Sequence, residues 1–133
     1  MKIGFTGTRN GMSDAQKTAL VALLKKYTTR DNVTVHEFHH GGCEGADLEA
    51  GAIASKLKYH IVIHPGGATY LPKGIKAAVK DPKPNLVRNQ DIVNAVDLVI
   101  AAPRTSTEEL RSGTWATIRY AKRQNKALRM LDR

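Results

Sequence analysis

Apolar and polar positions along the chain switch repeatedly between a two-residue and a helical period. "KIGFTG" (2–7) is a short apolar run ending in glycine, which predicts a buried strand and a turn. Ser13 and Gln16 have the spacing of a capping box at a helix start. Leu20, Leu23, Leu24 and Tyr27 continue that helix as an apolar stripe. "NVTVHEF" (32–38) alternates and is rich in β-formers, which predicts a second strand. A glycine-rich turn, "HHGGCEGAD", then leads into Ala46, Ala50, Ile53, Ala54 and Leu57 at helical spacing. Their small side chains predict a helix lying close to a sheet.

"YHIVIH" (59–64) predicts a third strand, ended by Pro65-Gly66-Gly67. Residues 66 to 85, rich in proline, glycine and lysine, read as an irregular excursion with one helical turn at Lys76 to Val79. "RNQDIVNAV" (88–96) predicts a short helix. "DLVIAAP" (97–103) predicts a fourth strand, continuous in its apolar character as a strand covered on both sides should be. "SGTWATIRYAKRQNK" (112–126) predicts a helix and "ALRML" (127–131) a last strand.

Strands alternating with helices predict an α/β chain: one domain over residues 1–133, with a parallel sheet of about five strands and helices on both faces. In such sheets ligands bind outside the carboxyl ends of the strands. Each glycine-rich or polar cluster follows a strand: "GTRNG" the first, "HHGGCEGAD" the second, "HPGG" the third and "PRTSTEELRSGT" the fourth. They converge on one edge, which predicts one site.

Composition narrows the partner. The 133 residues are 41% hydrophobic and 25% charged, as in a folded globular chain. No apolar run is long enough to span a membrane, and the N-terminus lacks a signal-peptide apolar segment. Cys43 is the single cysteine, which excludes an internal disulfide framework. Together these predict a cytoplasmic domain with no membrane partner. Twenty-one Lys and Arg against 12 Asp and Glu give a formal charge of +9, which favours anionic partners. The basic residues are spread along the chain and only 5% of residues are aromatic, so stacking platforms for single-stranded nucleic acid are few. A nucleotide-type small molecule is the first expectation and nucleic acid the second.

Gly41, Gly42 and Gly45 let the backbone turn sharply and leave amide groups uncovered, and the helix that follows aims its positive end at them. That predicts a phosphate pocket. Asp47 either caps the helix or accepts from a ribose hydroxyl or a base N–H. Ser112, Gly113 and Thr114 open a later helix and offer a second phosphate contact. Arg88 and Asn89 precede a helix and are placed to clamp a phosphate or read a base edge. Thr6, Gly7, Thr8 and Arg9 complete the ring, and His64 closes the third strand facing the cleft. His36, His39 and His40 suggest a metal, but alternation sends His36 and His39 to opposite faces, so a structural or ligand-contacting role is expected. Cys43 reads as a loop thiol, Trp115 as core or wall, and nothing points to a resident cofactor or metal.

"GGCEGADLEAGAIA", "HPGG", "LVRNQDIVNAVDLVIAAP" and "SGTWATIRYAKRQNKAL" resemble, in the correct order, the SLOG superfamily of Rossmann-like nucleotide-binding proteins. The motif is most similar to the core of the DNA-processing-A (DprA-like) recombination mediators. The positions that carry this are Gly41, Gly42, Gly45 and Asp47, then Arg88 and Asn89, then Ser112 and Gly113. The resemblance implies a Rossmann-like fold with a nucleotide- or phosphate-binding cleft. A homo-oligomer is expected. A more distant similarity to the "lonely guy" (LOG) phosphoribohydrolases implies an N-glycosidase of nucleoside 5′-monophosphates. Their catalytic glutamate position falls on Thr117, leaving Glu108, Glu109, Asp47 and Glu44 as substitute carboxylates. The expected function is binding of a nucleotide or nucleotide-derived signal, for sensing or sequestration. The alternatives are the phosphoribohydrolase and a single-stranded DNA-binding mediator.

Overall fold

The first apolar run becomes the middle of a sheet. In the computed structural model, which describes residues 1–29 and 35–133, β1 (Lys2–Gly7) is followed by α1 (Asp14–Thr29), β2 (Glu37–His40), α2 (Ala46–Lys56) and β3 (His60–Ile63). Then come β4 (Ala77–Val79), α3 (Asn85–Ala95), β5 (Leu98–Ala102), α4 (Gly113–Arg123) and β6 (Ala127–Met130). The sheet order is β4-β3-β2-β1-β5-β6, and every neighbouring pair is parallel. The predicted α/β class and double coverage hold, with one strand more than the five expected.

Each face carries two helices. Ile3, Phe5, Phe38, Ile61, Ile63 and Ile100 point to the side where Leu20 and Leu24 of α1 and Ala46, Ala50 and Ala54 of α2 are buried. On the other side Val93 and Val96, in and just after α3, meet Val99 and Ala121, while Trp115 and Ile118 of α4 pack on Ala101. Trp115 is thus core. The alanine face of α2 allows the close approach expected of it: a Cβ on Gly7 would collide with the Cβ of Ala46.

The capping box forms and does more than cap. Gln16 N–H donates to Ser13 Oγ at 3.1 Å, and Gln16 Oε1 accepts from Ser13 N–H at 3.0 Å. The fully buried Gln16 amide also donates from Nε2 to Pro103 O at 3.2 Å and Leu131 O at 3.0 Å. One side chain therefore starts α1 and ties it to the chain leaving β5 and β6.

Four boundaries differ from expectation. The helical turn expected at Lys76 to Val79 is β4, which pairs Ile61 with Ala77 and Ile63 with Val79 and closes the β3 edge. A three-residue apolar run has no periodicity to show, so pairing decides it. The second strand runs to His40, so His39 and His40 belong to the strand and not to the turn; residues 32–34 of that expectation lie outside the described residues. Helix α3 begins directly after Pro84, which places Arg88 inside its first turns and not ahead of it. Helix α4 stops at Arg123, before Asn125 takes a left-handed conformation at φ 55°.

β1 has β2 on one side and β5 on the other, so the chain leaves these strands in opposite directions and opens a crevice at their carboxyl ends. Replacing Gln16 with alanine removes the reciprocal cap and strands two buried carbonyls. The expected loss is about 2–4 kcal/mol of unfolding free energy, read by urea denaturation. A loss under about 0.5 kcal/mol, the level of a surface change, contradicts this role.

Candidate functional site

The crevice is a cleft of about 730 Å³. Thr6 to Asn10 line it from the end of β1, Gly41, Cys43 and Asp47 from the β2–α2 turn, and Arg88 and Asn89 from α3. Arg104 and Glu109 to Thr114 close it from the β5–α4 connection. Of the four strand-end loops expected to converge, those after β1, β2 and β5 line the cleft, and the one after β3 does not.

The glycine turn is built as predicted but employed differently. Gly45, at φ +86°, is the residue before α2, and a side chain there would run into the carbonyl of Arg9. Ala46 N–H donates to Thr8 O at 3.0 Å, joining the α2 start to the β1 loop. No side chain caps α2; Asp47 instead reaches back, and its Oδ2 accepts from Gly41 N–H at 3.0 Å and Cys43 N–H at 3.4 Å. Gly42 N–H donates to His40 Nδ1 at 2.9 Å. The amides of Gly41, Gly42 and Cys43 are therefore taken by the chain's own carboxylate and imidazole. That differs from the open phosphate amides expected at Gly41 and Gly42. Burial pushes the Asp47 carboxyl up to about 6, although the Cys43 and Gly41 amides and the Arg88 charge pull the other way.

Arg88 is only 5% exposed. Its Nη1 donates to Gly41 O at 2.8 Å and His64 O at 3.2 Å, and its Nε to Asn89 Oδ1 at 2.8 Å. Nη2 has only long contacts, 3.5 Å each, to Cys43 Sγ and Asn85 Oδ1. All these partners are neutral, and Arg88 makes no ion pair among the described residues. A buried charge without a contacting counter-ion is costly; Asp47 feels the Arg88 charge but makes no ion pair with it. Its loosely held Nη2 lies between two residues of the cleft wall.

The opposite wall supplies amides. Ser112 Oγ caps α4 by accepting Trp115 N–H at 3.2 Å. The N–H groups of Gly113 and Thr114 precede any intrahelical acceptor, and both residues line the cleft. Open space lies beside Gly113. Arg9 and Arg111 are exposed at the rim, and Arg104 donates to Glu109 Oε2 at 2.6 Å. Thr117, buried in the wall, donates its hydroxyl to Gly113 O at 3.0 Å.

Not every candidate is brought in. Glu108 pairs with Arg119 at 2.7 Å and, like exposed Glu44, does not line the cleft, which leaves Asp47 and Glu109 as its carboxylates. His64 does not face the cleft either: it follows Val62 to the sheet side opposite Ile61 and Ile63 and lines a separate hollow. Cys43 is half-buried in the cleft wall, where burial and Asp47 push its thiol up, the opposite of an activated nucleophile. Among the described residues no cluster of three or more His, Cys, Asp or Glu could hold a metal. Two contributors escaped the sequence reading. Asn85 accepts Gly67 N–H at 2.9 Å and reaches Arg88, and Pro84 before it was the available signal of a helix start. Glu49 accepts Met12 N–H at 2.6 Å and holds the β1–α1 loop, with no local signal.

No family model matches this chain and no curated protein matches it. Solved structures do. DNA processing protein A (DprA) from Streptococcus pneumoniae superposes with a TM-score of 0.69 at 17% identity, covering 97% of this chain and 49% of that one. The molybdenum cofactor carrier protein from Chlamydomonas reinhardtii gives 0.68 at 16%, covering 97% and 74%. The structural-genomics target TM1055 gives 0.68 at 16%, covering 96% and 71%. The chain shares its fold with these three proteins. At these identities the likeness is one of fold, and the chain spans about half of DprA. Among the described residues no helix is long and apolar enough to cross a membrane.

Asp47 gives the cleft a pH signature. Its folded value of about 6 lies above the ordinary 3.8, so the folded state holds the extra proton between them and stability falls as pH rises through that window. Asp47→Asn keeps an acceptor for the loop amides and removes the titration. Its stability relative to wild type should rise by up to about 3 kcal/mol between pH 4 and pH 6.5, measured by urea denaturation at each pH. A difference independent of pH contradicts the raised value.

Proposed function

We propose that the cleft binds a nucleotide or nucleotide-derived phosphorylated ligand, as a sensing or sequestering module. The observation that carries this is Arg88: a buried guanidinium with neutral partners only, open through Nη2 to a cleft whose far wall presents the Gly113 and Thr114 amides. A phosphate between them supplies the missing counter-charge and meets a helix N-terminus at once. The cleft volume, about 730 Å³, falls in the range of small-molecule sites. Because Asp47 holds the amides of the glycine turn, the phosphate is assigned to α4 and Arg88, not to that turn. Asn89 and Asn85 are placed beside it to read the rest of the ligand. DprA is titled a DNA processing protein and the Chlamydomonas protein a molybdenum cofactor carrier, which agrees with a ligand-binding role for this fold.

Asp47 favours a second reading. A cleft carboxyl titrating near 6 has the range of a general acid or base, as a nucleoside 5′-monophosphate N-glycosidase requires. Exposed Leu86, Val87 and Leu110, at the α3 start and on the β5–α4 connection, support the expected homo-oligomer; a monomeric mass by light scattering contradicts it.

Titration calorimetry against nucleoside mono-, di- and cyclic phosphates tests the main reading. One of them binds, and Arg9→Ala and Arg111→Ala at the rim each weaken it about tenfold, or ~1.4 kcal/mol, with unchanged thermal stability. Free base and ribose phosphate after incubation, abolished by Asp47→Asn, make the protein the glycosidase instead. Affinity that grows with strand length and falls steeply with salt replaces both with DNA binding.

A further inference from the structure

Behind the cleft, on the α3 side of the sheet, lies a second hollow of about 390 Å³. A chain of three hydrogen-bonded side chains leads into it. Glu37 Oε1 is 2.8 Å from His39 Nε2, and His39 Nδ1 is 2.8 Å from His64 Nε2. Both imidazoles are held below their ordinary value: His39 chiefly by burial, although Glu37 pulls the other way, and His64 by burial and the charge on His39, down to about 4. Both rings are therefore neutral near pH 7.

Neutral rings and an ionised carboxylate leave one direction for this chain. Glu37 can only accept, so His39 Nε2 carries the proton and donates. His39 Nδ1 must then accept, from His64 Nε2–H, which leaves His64 Nδ1 as a lone-pair acceptor. That nitrogen makes no hydrogen bond among the described residues, and His64 lines the hollow. Around it stand Lys80, without an ion-pair partner among the described residues, Lys83, paired to Asp91 at 2.8 Å, Asp81, and the edge of Arg88. Three cations against two carboxylates favour an anion. The single acceptor demands a proton from it.

We propose that this hollow is a second ligand site, for a small oxyanion that still carries one hydroxyl proton, such as hydrogen phosphate or a hydroxylated anion of similar size. The O–H donates to His64 Nδ1, and the charged oxygens meet Lys80 and Lys83, with the Arg88 charge behind them. Glu37 sets the specificity from a distance: it touches no ligand, yet it decides that His64 accepts. An anion of the same shape with no proton leaves that lone pair facing oxygen and is rejected. Histidine at 39 and 64, on a sheet face otherwise filled by apolar residues, is what such a reader requires.

Inorganic phosphate and sulfate are the probes, since at neutral pH hydrogen phosphate keeps an O–H and sulfate has none. Histidine ring ¹H–¹⁵N correlation spectra of the intact protein report on this hollow, while the Gly113 amide reports on the main cleft. Phosphate should move the His64 and His39 ring signals saturably, with sulfate needing at least tenfold higher concentration. Glu37→Gln, which can donate or accept toward His39, should reduce that preference at least fivefold. Lys80→Ala, on the surface, should weaken both anions and leave their ratio. Equal responses to the two anions, static His64 signals while Gly113 responds, or a Glu37→Gln variant with its preference intact each overturn the proposal.

Discussion

The site depends on one buried guanidinium. Arg88 crosses from α3 beneath the ends of β2 and β3 and donates to the carbonyls of Gly41 and His64. It thereby fixes the relative positions of two loops that would otherwise end in water. The first glycine of the turn follows from it, because a Cβ on Gly41 would collide with Arg88 Nη1. Neutral acceptors can orient a guanidinium but cannot neutralise it. Arg88 thus has no ion-pair partner among the described residues, and it lies at the floor of the cleft.

Asp47, whose carboxyl feels the Arg88 charge, makes no ion pair with it. It is the buried carboxylate beside the glycine turn, and it spends its Oδ2 on the Gly41 and Cys43 amides. A turn that looks made for an external phosphate is instead braced by the protein's own anion. On the proposed reading, the Asp47 carboxylate repels an incoming phosphate, which favours the α4 side of the cleft for it.

Much of this was legible in sequence. The strand-to-loop clusters pointed to one edge, the Ser13–Gln16 spacing marked α1, and the alanines of α2 marked close packing on the sheet. What was not legible depended on contacts far apart in the chain. Nothing local in "VRNQD" says that Arg88 is buried, because its acceptors lie 47 and 24 residues away. Strand β4 is too short to show a period and exists because β3 would otherwise be an open edge. The side taken by His64 was available from the two-residue period of β3, since Ile61 and Ile63 face the α1–α2 core and Val62 and His64 do not. The cluster "HPGG" concealed it by suggesting a cleft loop.

The central claim is that a ligand phosphate completes the charge of Arg88 against the start of α4. The most direct measurement is a ¹H–¹⁵N spectrum of the protein titrated with the nucleotide that calorimetry selects, following the Arg88 side-chain N–H signals with the Gly113 and Thr114 amides. The account predicts that these move together and saturate at one concentration, while the Gly41 and Cys43 amides, held by Asp47, move least. Saturable shifts centred on Gly41 and Cys43, with Arg88 and Gly113 unchanged, would place the phosphate in the glycine turn and contradict it.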